Sequence, residues 1–111
     1  MRLSDGLFAA LDREARENFH RRMTIEYQAA YPDTPSEVVE TIRDDIREYG
    51  REWGASHTQT FRSLYYISFE IGASILRDPD FQQVISAEPP MDRAEIIDAI
   101  AAKLEREAEL I

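Results

Sequence analysis

A chain of 111 residues with 22 acidic against 13 basic side chains carries a formal charge of -9, which repels a phosphate backbone and argues against nucleic-acid binding. The lack of cysteine excludes a disulfide framework, a thiolate nucleophile and a zinc-thiolate site. A hydrophobic share of 43% beside 32% charged residues is that of a folded domain, because disorder needs fewer large apolar side chains.

One domain spanning residues 1–111 is expected, with a single core. No run approaches the roughly 20 apolar residues of a membrane span. Residues 1–10 lack the apolar stretch of a signal peptide, so a cytoplasmic protein is expected.

From Asp5 to Ala30 the apolar positions Phe8, Leu11, Ala15, Phe19, Met23 and Tyr27 recur three or four apart, with Asp12, Arg13, Glu14, Arg16, Glu17, Arg21 and Arg22 between them. That period predicts a long amphipathic helix. Tyr31-Pro32 ends it, since a residue before proline is pushed out of the α region. Thr34, Pro35 and Glu37 then read as an N-cap, a proline at the first helical position and a reciprocal cap partner. The second helix presents Val38, Val39, Ile42, Ile46, Tyr49 and Trp53 inward, and Arg43, Asp44, Asp45, Arg47 and Glu48 outward. Gly50 interrupts it, and Gly54 is the expected left-handed cap.

Ser56 and Gln59 form a capping box for a third helix over about 57–77, apolar nearly all round. Phe61, Leu64, Tyr65, Phe69, Ala73 and Leu76 make one face, and Tyr66, Ile67, Ile71 and Ile75 fill most of the rest. Such a helix belongs in the middle of a bundle. Its only polar stripe is Arg62, Tyr66 and Glu70, one turn apart, so a charge there must reach solvent through a gap between neighbours or find a partner. Gly72 is read as a close helix crossing. Asp78 and Pro79 open a short helix with Phe81, Val84 and Ile85, and Pro89-Pro90 breaks the chain. Asp92 and Glu95 cap a last helix whose inward face is Ile96, Ile97, Ile100 and Leu104 and whose tail, Lys103 to Glu109, is expected to fray. The fold class expected is all-α, a compact bundle of four to five helices around the apolar third one.

Glu17 and His20 have the Glu-x-x-His spacing of di-iron carboxylate bundles, but the only other histidine, His57, lacks the matching carboxylate. Glu17 and His20 therefore read as a solvated pair, and no metal or cofactor is expected. Asp78 and Asp80 lack the further oxygen ligands of a calcium loop. Arg62 and Glu70 are candidates for a buried polar pair, Glu70 being the carboxylate whose burial would raise its pKa unless an arginine attends it. Tyr49, Trp53, His57 and Phe61 gather at the junction of the second and third helices. Most of these rings belong to the core, but any left exposed there would serve as an anchor for a partner, because interface hot spots favour Trp and Tyr.

The run Arg47-Glu48-Tyr49-Gly50-Arg51-Glu52-Trp53-Gly54-Ala55-Ser56, the helix ending near Ile71-Gly72 and the segment Asp78-Pro79-Asp80-Phe81 resemble a family of short helical proteins encoded beside type VI secretion spike and effector genes. The likeness covers roughly Ser36 to Ile85. This chain departs from the pattern by placing Ala73 to Arg77 between its glycine and the Asp-Pro-Asp-Phe segment. The resemblance implies a non-enzymatic accessory role, as adaptor, chaperone or immunity protein, with a secreted effector or spike component as partner, and it carries over no catalytic residue. Two other readings are open: a homo-oligomeric structural subunit joined through an apolar face of the first or last helix, and a ligand-binding or enzymatic bundle in which Glu70 and an arginine face an enclosed polar cavity.

Overall fold

The computed structural model describes residues 5–53, 58–86 and 93–109, with side chains placed between residues 13 and 108 of those ranges. Among them are five α-helices and one 3-10 turn: α1 (Asp5–Ala30), α2 (Ser36–Glu52), α3 (Thr58–Ile71), the turn Ile75–Arg77, α4 (Pro79–Ile85) and α5 (Arg93–Glu109). The all-α bundle expected from the sequence is observed. Gly54, Ser56, His57, the Pro89-Pro90 break and Asp92 lie outside the described residues, as do the side chains of Phe8, Leu11 and Asp12.

Tyr31 and Pro32 end α1 as expected, the Tyr31 amide donating the last helical bond to the Tyr27 carbonyl at 2.8 Å. The entry to α2 is shifted by one residue. Pro35 is the N-cap, not the first helical residue, because its ψ of 149° is extended while its carbonyl accepts from the Val38 and Val39 amides. No side chain caps this end, so Thr34 does not play the part its sequence suggests. Glu37 still sits in the first turn, where the helix dipole favours a carboxylate. At α4 the Asp78 carboxylate caps as the sequence predicts, its Oδ1 accepting from the Asp80 and Phe81 amides at 2.9 and 3.2 Å. α5 is helical through its charged tail to Glu109.

Two glycines exchange the roles expected of them. The third helix stops at Ile71 instead of running to residue 77, because Gly72 takes a φ of +146° that side-chain-bearing residues rarely adopt. Nothing approaches the place its Cβ would occupy, so Gly72 ends a helix and does not mark a crossing. The chain then folds into the 3-10 turn, which still delivers Leu76 fully into the core. Gly50 is the close approach: a Cβ there would lie 2.8 Å from Phe61 Cε1 and 3.6 Å from Leu64 Cδ1. α2 and α3 pack tightly because that side chain is missing.

α3 is the hub. It packs on α1, α2, α5 and the 3-10 turn, while α4 seats against α5 and the turn. Leu64, Tyr65 and Ile67 of α3 are fully buried, joined in one cluster by Met23 of α1, Ile42, Ile46 and Trp53 of α2, Phe81 and Ile85 of α4, and Ile97 and Ala101 of α5. Its enclosure is not complete. α1 and α5 each pack on α3 but, among the described residues, not on each other, which leaves one strip of α3 open. At the other end of α1, Arg13 to Asn18 are all exposed, so Ala15 does not share in the core although it continues the stripe of Phe19 and Met23.

The Gly50 contact predicts the response to a methyl group. Phe61 is itself held edge-on between Phe19 and His20, so its ring cannot step aside freely. Gly50→Ala should therefore destabilise by about 1 to 3 kcal/mol in urea unfolding, outweighing a helix-propensity gain near 1 kcal/mol. In a Phe61→Leu background the same change should be neutral or stabilising. Stabilisation by Gly50→Ala alone would contradict the tight crossing.

Candidate functional site

The polar side chains divide into those that join helices inside the bundle and those along the open strip of α3. His20 belongs to the first set, against expectation: it is 5% exposed, whereas Glu17 is exposed, so the two do not form a solvated pair. His20 follows the same stripe as Met23, Thr24 and Tyr27, which was the signal available in the sequence. Its Nδ1 lies 2.7 Å from the hydroxyl of Tyr65, which is fully buried. The imidazole sits edge-on to Phe19 and Phe61 at centroid distances of 5.6 and 5.3 Å. Burial, and then the charges of Arg47, Arg43 and Arg16, lower its pKa from 6.5 to about 4. Burial likewise raises the Tyr65 hydroxyl above its ordinary value of 10. The pair is neutral at pH 7, a hydrogen bond that fixes α1 against α3.

Asp45 was expected on the outer face of α2 and is instead 1% exposed. It stands three residues after Ile42 and four before Tyr49, on the flank of the inward stripe. Its Oδ1 accepts from Arg77 Nε and Nη2 at 3.1 and 2.7 Å, tying the 3-10 turn to α2. The same bond holds the Arg77 guanidinium above its ordinary pKa. Between α3 and α5, Asp98 Oδ1 accepts from Ser63 Oγ at 2.7 Å, and Oδ2 from Thr60 Oγ1 at 3.4 Å. These inward polar groups sit where two elements must be held in one register.

The described aromatic rings at the α2 to α3 junction pack into the core, as most of them were expected to. Trp53 is only 7% exposed, its ring packed 5.3 Å from Tyr49 and 6.0 Å from Phe81. Tyr49 and Phe61 are half-buried against the same cluster, and His57 lies outside the described residues. Trp53 is therefore corrected from a candidate surface anchor to a core residue. A shallow depression on the outer face of α2, lined by Asp44, Arg47, Glu48 and Arg51, opens widely to solvent and brings no second element near.

Arg62 and Glu70 do not form a buried pair. Glu70 is exposed and accepts the Tyr31 hydroxyl proton in a short hydrogen bond, while Arg62 Nη1 lies 3.4 Å from Glu26 Oε1 at the surface. Both face the open strip and both reach α1. The Tyr27 hydroxyl donates to the Arg62 carbonyl at 3.2 Å, and the rings of Tyr65, Tyr27, Phe69 and Tyr31 follow one another along this edge at 5.5 to 6.0 Å. Burial and then the Glu70 contact raise the Tyr31 hydroxyl above its usual range. Burial, and then the charge of Glu26, raise the Tyr27 hydroxyl above its ordinary value, with Glu105 of α5 contributing in the same sense. Half-buried Arg62 and Tyr66 thus form a floor, with Glu26, Tyr27 and Tyr31 on one side and Glu105 on the other. No group of three His, Cys, Asp or Glu side chains that would hold a metal ion occurs among the described residues. Nor is any helix there long and apolar enough to cross a membrane.

No protein-family model matches the chain, and no similar protein is found among curated sequences or solved structures. The fold and the open strip define a small all-α bundle with one incompletely covered central helix.

A histidine whose folded pKa lies below its unfolded value of 6.5 takes up more protons when unfolded, so stability rises with pH between about 4 and 6.5. The urea midpoint should fall as pH drops from about 7 to about 5, and His20→Leu should flatten that dependence. At neutral pH the same variant should lose about 1 to 3 kcal/mol, because the Tyr65 hydroxyl is left buried without its partner. An unchanged slope in the variant would assign the acid sensitivity to carboxylates instead.

Proposed function

We propose that the chain is a non-enzymatic protein-binding accessory protein of adaptor, chaperone or immunity type. The observation that carries this reading is the open strip of α3: two helices pack on it without meeting, and half-buried Arg62 and Tyr66 face solvent where a covering element would lie. The bundle has there a surface suited to another helix or loop. The inward ionisable groups His20, Asp45 and Asp98 are each engaged in holding two elements of the bundle together. That leaves the surface to carry the activity. The acidic balance of the chain favours a neutral or basic protein over a nucleic acid. Its resemblance over Ser36 to Ile85 to helical proteins encoded beside type VI secretion spike and effector genes supports a secreted effector or spike component as that partner.

Affinity capture of the tagged full chain from its native host, with the products of neighbouring genes present, is the test. A stoichiometric complex with one of those products is the expected result. Capture of none above background would contradict the reading.

A further inference from the structure

Resting on the protein-binding reading, we propose that the trough between α1 and α5 receives a helix of the partner protein, and that this helix presents arginine or lysine along its contacting face. The shape comes from the packing. His20 meets Tyr65 and Tyr31 meets Glu70, so α1 advances in the same direction as α3. On α5, Asp98 meets Thr60 and Ser63, and Glu105 follows two turns later on the same flank of the helix. α1 and α5 each pack on α3 and, among the described residues, not on each other, which makes a trough with α3 as its floor. Arg62, Tyr66 and Glu70 repeat every fourth residue along it, a length of about 12 Å, which matches two turns of an incoming helix.

The charge selects the occupant. Glu26, Glu70 and Glu105 flank the trough, and the Arg62 to Glu26 pair at 3.4 Å is long and exposed. Among the described residues neither Glu70 nor Glu105 forms an ion pair, so an acidic helix would be repelled. Half-buried Tyr27, Tyr31 and Tyr66 line the same trough. Such rings, apolar in body and polar at the hydroxyl, supply the amphipathic contact area on which hot spots are built. An apolar helix would leave the three carboxylates facing hydrocarbon, which disfavours it. A basic amphipathic helix satisfies both the rings and the charges.

The probe is a capped alanine-rich helical peptide with arginine at every fourth position, set beside the same peptide with glutamine at those positions. In a nitrogen-15 NMR titration of the full chain, the arginine peptide should shift amides near Glu26 to Tyr31, Arg62 to Glu70 and Asp98 to Glu105, and the glutamine peptide should bind at least about tenfold more weakly. Glu70→Gln with Glu105→Gln should weaken the arginine peptide by about tenfold, while the charge-matched pair Glu40→Gln with Glu48→Gln on α2 should leave it within about twofold. Equal weakening by both pairs, shifts spread over the whole acidic surface, or no binding would overturn the proposal. Self-association of the chain that the Glu70 and Glu105 changes abolish would also overturn it, making a second copy the occupant. A captured native complex that persists with Glu70 and Glu105 replaced would remove the trough while sparing the protein-binding reading.

Discussion

Everything in this bundle depends on covering α3. A helix that is apolar nearly all round cannot stand in water, and each neighbour exists to take one part of its circumference: Tyr65 meets α1, Leu64 meets α2, and Ser63 meets α5. The 3-10 turn adds to the enclosure by carrying Leu76 into the core. Hydrophobic burial supplies the driving force for this arrangement, but burial alone is indifferent to register. The polar contacts supply it. His20 with Tyr65, Asp98 with Ser63, and Asp45 with Arg77 each join a different pair of elements, and sliding any one element by a turn would leave a buried hydroxyl, imidazole or carboxylate without its partner. Such groups add little net stability compared with well-packed apolar residues, while a broken pair is costly. Their effect is to make one packing much better than its neighbours.

The two glycines extend the same logic to the backbone. Gly50 lets α2 come close enough for the Phe61 ring to occupy the space of an absent Cβ, and Gly72 turns the chain so that Ile75 and Leu76 reach the core from a 3-10 turn. The apolar pattern of the third helix continues past Ile71 because those residues are still buried, not because the helix is. That is why the period alone overstated its length. Period reports which side chains face inward and is blind to a change of backbone that keeps them there.

Much of the architecture was legible in the sequence. The stripes of α1, α2 and α5, the break at Tyr31-Pro32 and the Asp78-Pro79 start all appear where residue type and spacing put them. The polar stripe of Arg62, Tyr66 and Glu70 required either a gap between neighbours or a buried partner, and the structure has the gap, left by α1 and α5, in place of the expected Arg62 to Glu70 pair. The buried polar residues were less legible for a definite reason. His20 and Asp45 both lie on inward stripes, but a titratable side chain reads as outward unless its partner is known, and Tyr65 and Arg77 stand 45 and 32 positions away. Trp53 is buried as its place on the inward face of the second helix implied, and the return of Phe81 on α4 covers it, which leaves no exposed anchor at that position. Contacts between residues distant in sequence decided each of these cases.

The functional reading follows from the one side of α3 that the chain leaves uncovered, and it holds only if the rest of that helix is the most firmly enclosed part of the molecule. Native-state hydrogen exchange measures this directly. The amides of Leu64, Tyr65, Ile67 and Ser68 should exchange only through global unfolding, with the slowest rates in the chain and the full urea dependence of the unfolding transition. Exchange of those amides through small local openings, faster than Ile42 and Ile46 of α2, would contradict the account, because α3 would then be one helix among several and its open strip an ordinary surface.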